Sequence, residues 1–311
     1  MKTISRTYTY TSDDFVSAVA FLYGVFRKTN SYQNWFPDRF ENSLIRLDGA
    51  RWIEDIRIWE VMNSTVASSE KNIVALANPE GRITNYFIQI DPAYSFLEPQ
   101  VLKWIEKHYQ ETKKDLSVKE SLKIHTIEGN SEREALLTKL GYQKGKVDGY
   151  LRLRPVDLSI PEIDYPENYE IRSIRGKSDY DQLAAVTRLV FGHHDESFNA
   201  ELYEEITRCS FYKQDLDLVA VAEDGTFASF CTFRIDPVSR ITNLEPMGTH
   251  PNHRGLGLAK TLVFEGLRRS MKYAPALFYI GGAAHTPEAN RLYDSVGYTE
   301  KFAEDTWYKD L

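Results

Sequence analysis

The chain has 311 residues, enough for two ordinary domains, and 42% of them are hydrophobic, so burying a core is no obstacle. The formal net charge of −7 argues against a nucleic-acid partner, because phosphate contacts need clustered Lys and Arg; it is compatible with an amine substrate. No apolar run approaches the roughly 18 residues of a membrane span, residues 1–14 lack the apolar stretch of a signal peptide, and two cysteines, Cys209 and Cys231, build no disulfide framework and suit a reducing, cytoplasmic compartment.

Thr11 or Ser12 can cap a helix that begins at Asp13 and carries Phe15, Val19, Leu22 and Phe26 on one face. A second helical stretch is expected over 39–47. Residues 55–66 and 72–77 read as strands, Asn78-Pro79-Glu80-Gly81 as a hairpin turn, and 82–90 as the next strand. Asp91-Pro92 ends it. A helix over 98–108, a strand over 122–127, a helix over 131–140 stopped by Gly141 and a strand over 147–153 complete this half.

Pro155, Pro161 and Pro166, with scattered acids, give a linker composition. The reading is a domain over 1–158, a linker over 159–168 and a second domain over 169–311. In the second half a strand over 169–174 precedes a helix capped by Ser178 or Asp179. Then come a polar loop with His193, His194, Asp195 and Glu196, and a short helix from Asn199. Strands over 216–222 and 226–235 flank Glu223-Asp224-Gly225, a hairpin turn in which glycine supplies positive φ.

Residues 241–270 read as strand, tight turn, glycine loop and helix. His250-Pro251-Asn252 is turn chemistry, and Leu258, Leu262 and Leu267 recur at helical spacing. A glycine loop entering a helix leaves backbone N–H groups unpaired and pointing one way, which makes an anion site. The dinucleotide fingerprint fails here, because Lys260 stands where its third glycine belongs. The P-loop fails because Ala259 precedes Lys260-Thr261. Pro246 lies inside the strand and cannot donate to a ladder, so pairing must break there. After a strand over 276–280, Thr286 and Pro287 start a helix that carries Asn290 and Tyr293 and ends before Gly297. Last strands follow over 298–308.

Arg254, Gly257 and Ala259 match the pattern Arg/Gln-x-x-Gly-x-Gly/Ala. With Glu245 on the preceding strand and Asn290-x-x-Tyr293 downstream, the segment resembles the GCN5-related N-acetyltransferases, the GNAT superfamily. The order β-α-α-β-β-β-α-β-α-β from 169 to 311 is also the GNAT order. Leu140-Gly141-Tyr142 echoes Val296-Gly297-Tyr298, and Asp91-Pro92 echoes His250-Pro251. The expected fold is therefore α/β with a mixed sheet, as two tandem GNAT-like acyl-CoA N-acyltransferase units.

The resemblance implies acetyl-CoA as acetyl donor and a small-molecule or peptide amine as acceptor, with no metal. It places the pyrophosphate on Arg254, Gly255, Leu256, Gly257, Leu258, Ala259 and Lys260. It places pantetheine along the backbone of Met247 and Thr249, which adds a strand, and near Asn290. Glu245 matches the base that deprotonates the amine, Tyr293 the acid that protonates the leaving thiolate, and the Met247 N–H an oxyanion donor. Opposite Arg254, Gly257 and Ala259 the first copy has Ser95, Glu98 and Gln100. A carboxylate there repels phosphate and Pro99 removes a donor. Leu137 and Glu134 stand opposite Tyr293 and Asn290, so the first copy is expected to be degenerate.

His193 and His194 are adjacent and point apart, which is poor metal-ligand spacing; they lie where the family shapes its acceptor site. Cys231 reads as a small buried residue rather than a nucleophile. Arg268, Arg269 and Lys272 read as favourable charges at a helix C-terminus. The alternative function is a non-catalytic acyl-CoA-binding sensor or docking module, which would need the loop but neither Glu245 nor Tyr293. Aminoacyl transfer from tRNA is disfavoured by the acidic balance and the intact loop.

Overall fold

The computed structural model describes residues 3–9, 11–29, 36–45, 54–61, 72–80, 82–116, 120–192, 198–283 and 286–311. Its first half holds β1 (Thr3–Thr7), α1 (Ser12–Thr29), α2 (Pro37–Ile45), β2 (Arg57–Val61), β3 (Asn72–Glu80), β4 (Arg82–Ile90), α3 (Glu98–Leu116), β5 (Leu122–Ile127), α4 (Ser131–Lys139) and β6 (Gln143–Arg154). The second half holds β7 (Tyr169–Ser173), α5 (Lys177–Phe191), α6 (Ala200–Ile206), β8 (Asp217–Ala222), β9 (Phe227–Ile235), β10 (Ile241–Thr249), α7 (Leu258–Ser270), β11 (Leu277–Ala283), α8 (Pro287–Ser295) and β12 (Glu300–Lys309). Among the described residues both halves run β-α-α-β-β-β-α-β-α-β, so the internal duplication is a property of the fold.

The compact units do not follow the linear cut. One comprises Met1–Asp148 with Ala303–Leu311, the other Gly149–Phe302. In the first unit β1, β2, β3 and β4 pair antiparallel in turn. There β4 pairs β5 in parallel, and β12 pairs β5 antiparallel from Glu304↔Ile127 to Lys309↔Leu122. In the second unit β7, β8, β9 and β10 pair antiparallel, β10 pairs β11 in parallel, and β6 pairs β11 antiparallel through Tyr150–Arg154. Each unit therefore takes its last strand from the other copy. The expected domains are 1–158 and 169–311, whereas the compact units divide the chain after Asp148 and after Phe302.

The linker reading changes too. Residues 159–168 carry no helix or strand, as their prolines dictate, yet they are not a free tether. Ile160 and Ile163 pack against the core of the second unit, and the Tyr165 hydroxyl donates to Glu265 Oε2 at 2.8 Å. That core joins Leu244 of β10, Phe233 of β9, Leu258, Leu262 and Leu267 of α7, and Phe278 of β11. A second cluster on the other face of the sheet joins Tyr180 and Leu183 of α5, Tyr203 of α6, Val219 of β8 and Phe230 of β9.

Three local readings are corrected. Asn78, Pro79 and Glu80 continue β3 instead of turning; Pro79 lies beyond Ala77, the last β3 residue paired to β2, so its missing N–H breaks no ladder on that side. Gly81 lies outside the described residues. Helix α5 starts at Lys177 with Gly176 as its N-cap, and Asp179 instead accepts from the Arg175 N–H at 2.7 Å and from Arg172 at 2.6 Å. Strand β1 has no counterpart in the sequence reading. Thr11 does act as a cap, its Oγ1 accepting from the Asp14 N–H at 3.3 Å.

Candidate active site

The site begins where two parallel strands part. β10 pairs β11 only through Ile241, Thr242 and Asn243. Against β9 its register shifts between Leu244 and Met247, where Glu245 and Pro246 are joined by a cis peptide. Beyond the shift the pairs are Met247↔Cys231, Gly248↔Phe230 and Thr249↔Ser229. The His250 N–H bonds the Ala228 carbonyl at 2.9 Å, which fixes the alternation of hydrogen-bonded and open pairs. Gly248 therefore faces β9, while the backbone N–H groups of Met247 and Thr249 point away from β9, along the side where β11 has departed.

The opened edge leads into the glycine loop. Pro251–His253 forms a short 3₁₀ turn in which His250 Nδ1 accepts from the Asn252 N–H at 3.2 Å. Arg254 Nε then donates to the Thr249 carbonyl at 3.3 Å. Gly255 and Gly257 both sit at φ 79°, a conformation that L side chains rarely adopt. A Cβ on either would meet no protein atom, so the demand for glycine is conformational and the space before the loop stays open. Gly257 caps α7 with no side-chain bond, and the first turn carries no acidic residue. The first N–H groups of this 13-residue helix, at Leu258, Ala259 and Lys260, thus have no helical partner and keep their positive end free. Leu258 anchors the turn in the core, while Leu256 and Lys260 are exposed. Such a cradle fits a pyrophosphate.

The equivalent place in the first unit is built differently. Asp91 caps a 3₁₀ turn over Pro92–Leu97, and α3 follows at once with Glu98 in its first turn. Glu98 is ion-paired to the buried Arg133, which also donates to the Ile88 carbonyl of β4 at 3.3 Å. There β4 pairs β5 only at Asn85 and Tyr86. An internal guanidinium thus occupies an acceptor of that strand just past the pairing.

Glu245 projects beside the opening, about one third exposed, with Oε2 accepting from Asn243 Nδ2 at 3.1 Å and lying 3.6 Å from Arg234 Nη1. Tyr293 is buried on α8, whose N-cap is Thr286, with Pro287 in its first turn. Burial pushes the Tyr293 hydroxyl up to about 12, against the opposing pull of Arg152, while the Glu245 charge adds to the rise. Asn290 has both polar ends engaged, its Oδ1 accepting from Arg152 and its Nδ2 donating to the Thr286 carbonyl at 3.0 Å.

Sequence reasoning missed Arg152. Its side chain is fully buried, bonded to Asp294 Oδ1 at 2.8 Å and the Tyr298 carbonyl at 2.9 Å, with its guanidinium 5.8 Å from the Tyr293 ring centre. The signal was there as Leu151-Arg152-Leu153-Arg154, a strand with two charges on one face. It lies in the half assigned to the other domain.

His193, His194, Asp195 and Glu196 lie outside the described residues. Burial pushes the Cys231 thiol well above its ordinary value, which disfavours the reactive thiolate. Among the described residues no three His, Cys, Asp or Glu side chains gather as a metal site. No described helix is long and apolar enough to cross a membrane.

Asp217, below the site on β8, accepts from Thr232 Oγ1 at 2.8 Å and the Tyr212 hydroxyl at 3.1 Å, and burial pushes it up to about 6. A carboxyl with a raised native pKa favours folding when protonated. Its contribution is complete below about pH 4 and is lost as pH rises through about 6, on the order of 3 kcal/mol. Asp217→Asn is expected to flatten this dependence, so that urea midpoints of variant and wild type diverge between pH 4 and 7 in the variant's favour.

Comparison with known proteins places a family match and a fold beside this geometry. Residues 183–298 match the family described as Acetyltransferase (GNAT) family. A mycothiol acetyltransferase from Acidothermus cellulolyticus is 28% identical over 182 residues, covering 53% of this chain and 55% of the relative. The chain spans about half the length of that relative. A GCN5-related N-acetyltransferase from Sphaerobacter thermophilus superposes with TM-score 0.65 at 15% identity, covering 99% of this chain and 98% of the other. A tandem GNAT protein from the clavulanic acid biosynthesis pathway gives TM-score 0.65 at 12% identity, with the same coverage. The fold is that of tandem GNAT proteins, and residues 183–298 match the GNAT family.

Proposed function

We propose that the protein is an acetyl-CoA-dependent N-acetyltransferase whose working site lies wholly in the second unit, the first being a degenerate copy. One observation carries the reading: the unpaired edge of β10 at Met247 and Thr249 runs directly into an uncapped helix N-terminus. The edge offers main-chain donors to an extended pantetheine. The loop from Arg254 to Lys260 offers N–H groups and a helix dipole to a pyrophosphate. In the first unit Glu98 and Arg133 fill the corresponding positions.

The donor, when bound, supplies a thioester carbon for the acceptor nitrogen to attack. An amine with pKa near 10.4 costs about 4.6 kcal/mol to deprotonate at pH 7, so a base matters. Glu245 takes that proton. The Met247 N–H, facing the opening, stabilises the oxyanion. Tyr293 returns a proton to the departing thiolate; with its hydroxyl at about 12 it stays protonated through the working range.

The test is release of free CoA thiol from acetyl-CoA with an amine panel. Tyr293→Phe is expected to lower kcat roughly 10- to 100-fold, at or just below the lower end of general-acid effects, with acetyl-CoA affinity nearly unchanged. Equal kcat for variant and wild type would remove Tyr293 from the acid role.

A further inference from the structure

Arg234 lies mid-sheet on β9, directly across from Asn243 of β10. Alternation places it on the face of Phe230, toward α5 and α6. Its side chain is only 5% exposed. Its guanidinium stacks over Phe211 at 5.1 Å, and among the described residues neither Nε nor Nη1 has a hydrogen-bond partner. The nearest facing carboxylate, Glu245 Oε2, is 3.6 Å from Nη1, beyond hydrogen-bond reach. Buried N–H donors left without an acceptor are costly, most of all on a charged group. They lie against the side chain assigned to deprotonate the acceptor.

We propose that Arg234 recognises a carboxylate on the acceptor, so that the substrate class is a small amino carboxylate. The inference rests on the acetyltransferase reading and adds the acceptor's chemistry. The substrate carboxylate supplies acceptors to the Arg234 guanidinium while the neighbouring amine faces Glu245. A gap of 3.6 Å between those two side chains suits amine and carboxylate one or two carbons apart. A singly charged group fits better than a phosphate. Glu245 already borders the guanidinium, and Asp217 lies near enough for Arg234 to oppose the rise in its pKa.

The experiment uses the full chain with acetyl-CoA and matched acceptors: the proteinogenic amino acids and their carboxamides. It reads CoA release and acetylated product by mass. At least one amino acid is expected to react with kcat/KM roughly 30-fold or more above its carboxamide. Arg234→Met is expected to bring that ratio to within roughly 3-fold, mainly by raising KM for the acid, and Arg234→Lys to recover part of it. Turnover without carboxylate preference in wild type overturns the inference even if the variant does not fold. So does an Arg234→Met variant that slows acid and carboxamide alike, which marks a residue that only positions Glu245. A protein that binds acetyl-CoA but acetylates no amino acid in the panel also overturns it, leaving the acetyltransferase reading intact. Failure to bind acetyl-CoA strikes that reading itself.

Discussion

Gly257→Glu is expected to weaken acetyl-CoA binding by more than roughly 100-fold, or about 2.7 kcal/mol, while the protein stays folded. The residue sits at φ 79° as the N-cap of α7, and no protein atom stands where a side chain would emerge. For the fold, a left-handed glutamate costs about 1–2 kcal/mol, partly offset by its favourable charge at a helix N-terminus. For the ligand, the same carboxylate stands at the proposed pyrophosphate site and cancels the field of the helix N-terminus that would attract it. Gly257→Ala separates the two effects, because it carries the conformational cost without the charge. Titration calorimetry beside circular dichroism reads both. Unchanged affinity in a folded Gly257→Glu protein would place the phosphates elsewhere.

The second large effect is expected from Glu245→Gln. Loss of a general base typically costs roughly 10²- to 10⁴-fold, and kcat/KM at pH 7 should fall within that range. The deficit should shrink as pH rises toward the pKa of the acceptor amine, where the neutral nucleophile is abundant without help. Acetyl-CoA affinity should stay close to wild type, since the side chain contacts Asn243 and Arg234 rather than the glycine loop. A deficit constant from pH 7 to pH 10 would mean that Glu245 acts on binding or structure and not on the proton.

The stretch most legible in the sequence was the one that builds the proposed donor site. Strand β10, its turn and α7 fall at the expected bounds, because Leu258, Leu262 and Leu267 lock the helix to the core and Pro246 forces the ladder to shift. Thr286 and Pro287 marked α8 by capping chemistry alone. β1 was invisible because Thr3-Ile4-Ser5-Arg6-Thr7 has a single apolar side chain to set a period. The strand exchange was also hidden. β6 and β12 each follow a helix and a Gly-Tyr step, and local pattern cannot say which β5-like neighbour either will pair with. That ambiguity put Arg152 in the wrong domain. Nothing in Phe233-Arg234-Ile235 singles Arg234 out, and its burial against Phe211 is visible only in the fold. Pro79 misled in the opposite direction, because a proline past the end of one pairing partner can stay inside a strand.

The central claim is a single donor site in the second unit. Calorimetric titration of acetyl-CoA into the wild-type chain tests it most directly. The expected result is saturable binding at one equivalent per chain, lost in Gly257→Glu. Two equivalents, or one that survives Gly257→Glu, would contradict the assignment of the first unit as a copy filled by Glu98 and Arg133, and no binding at all would contradict the acetyltransferase reading.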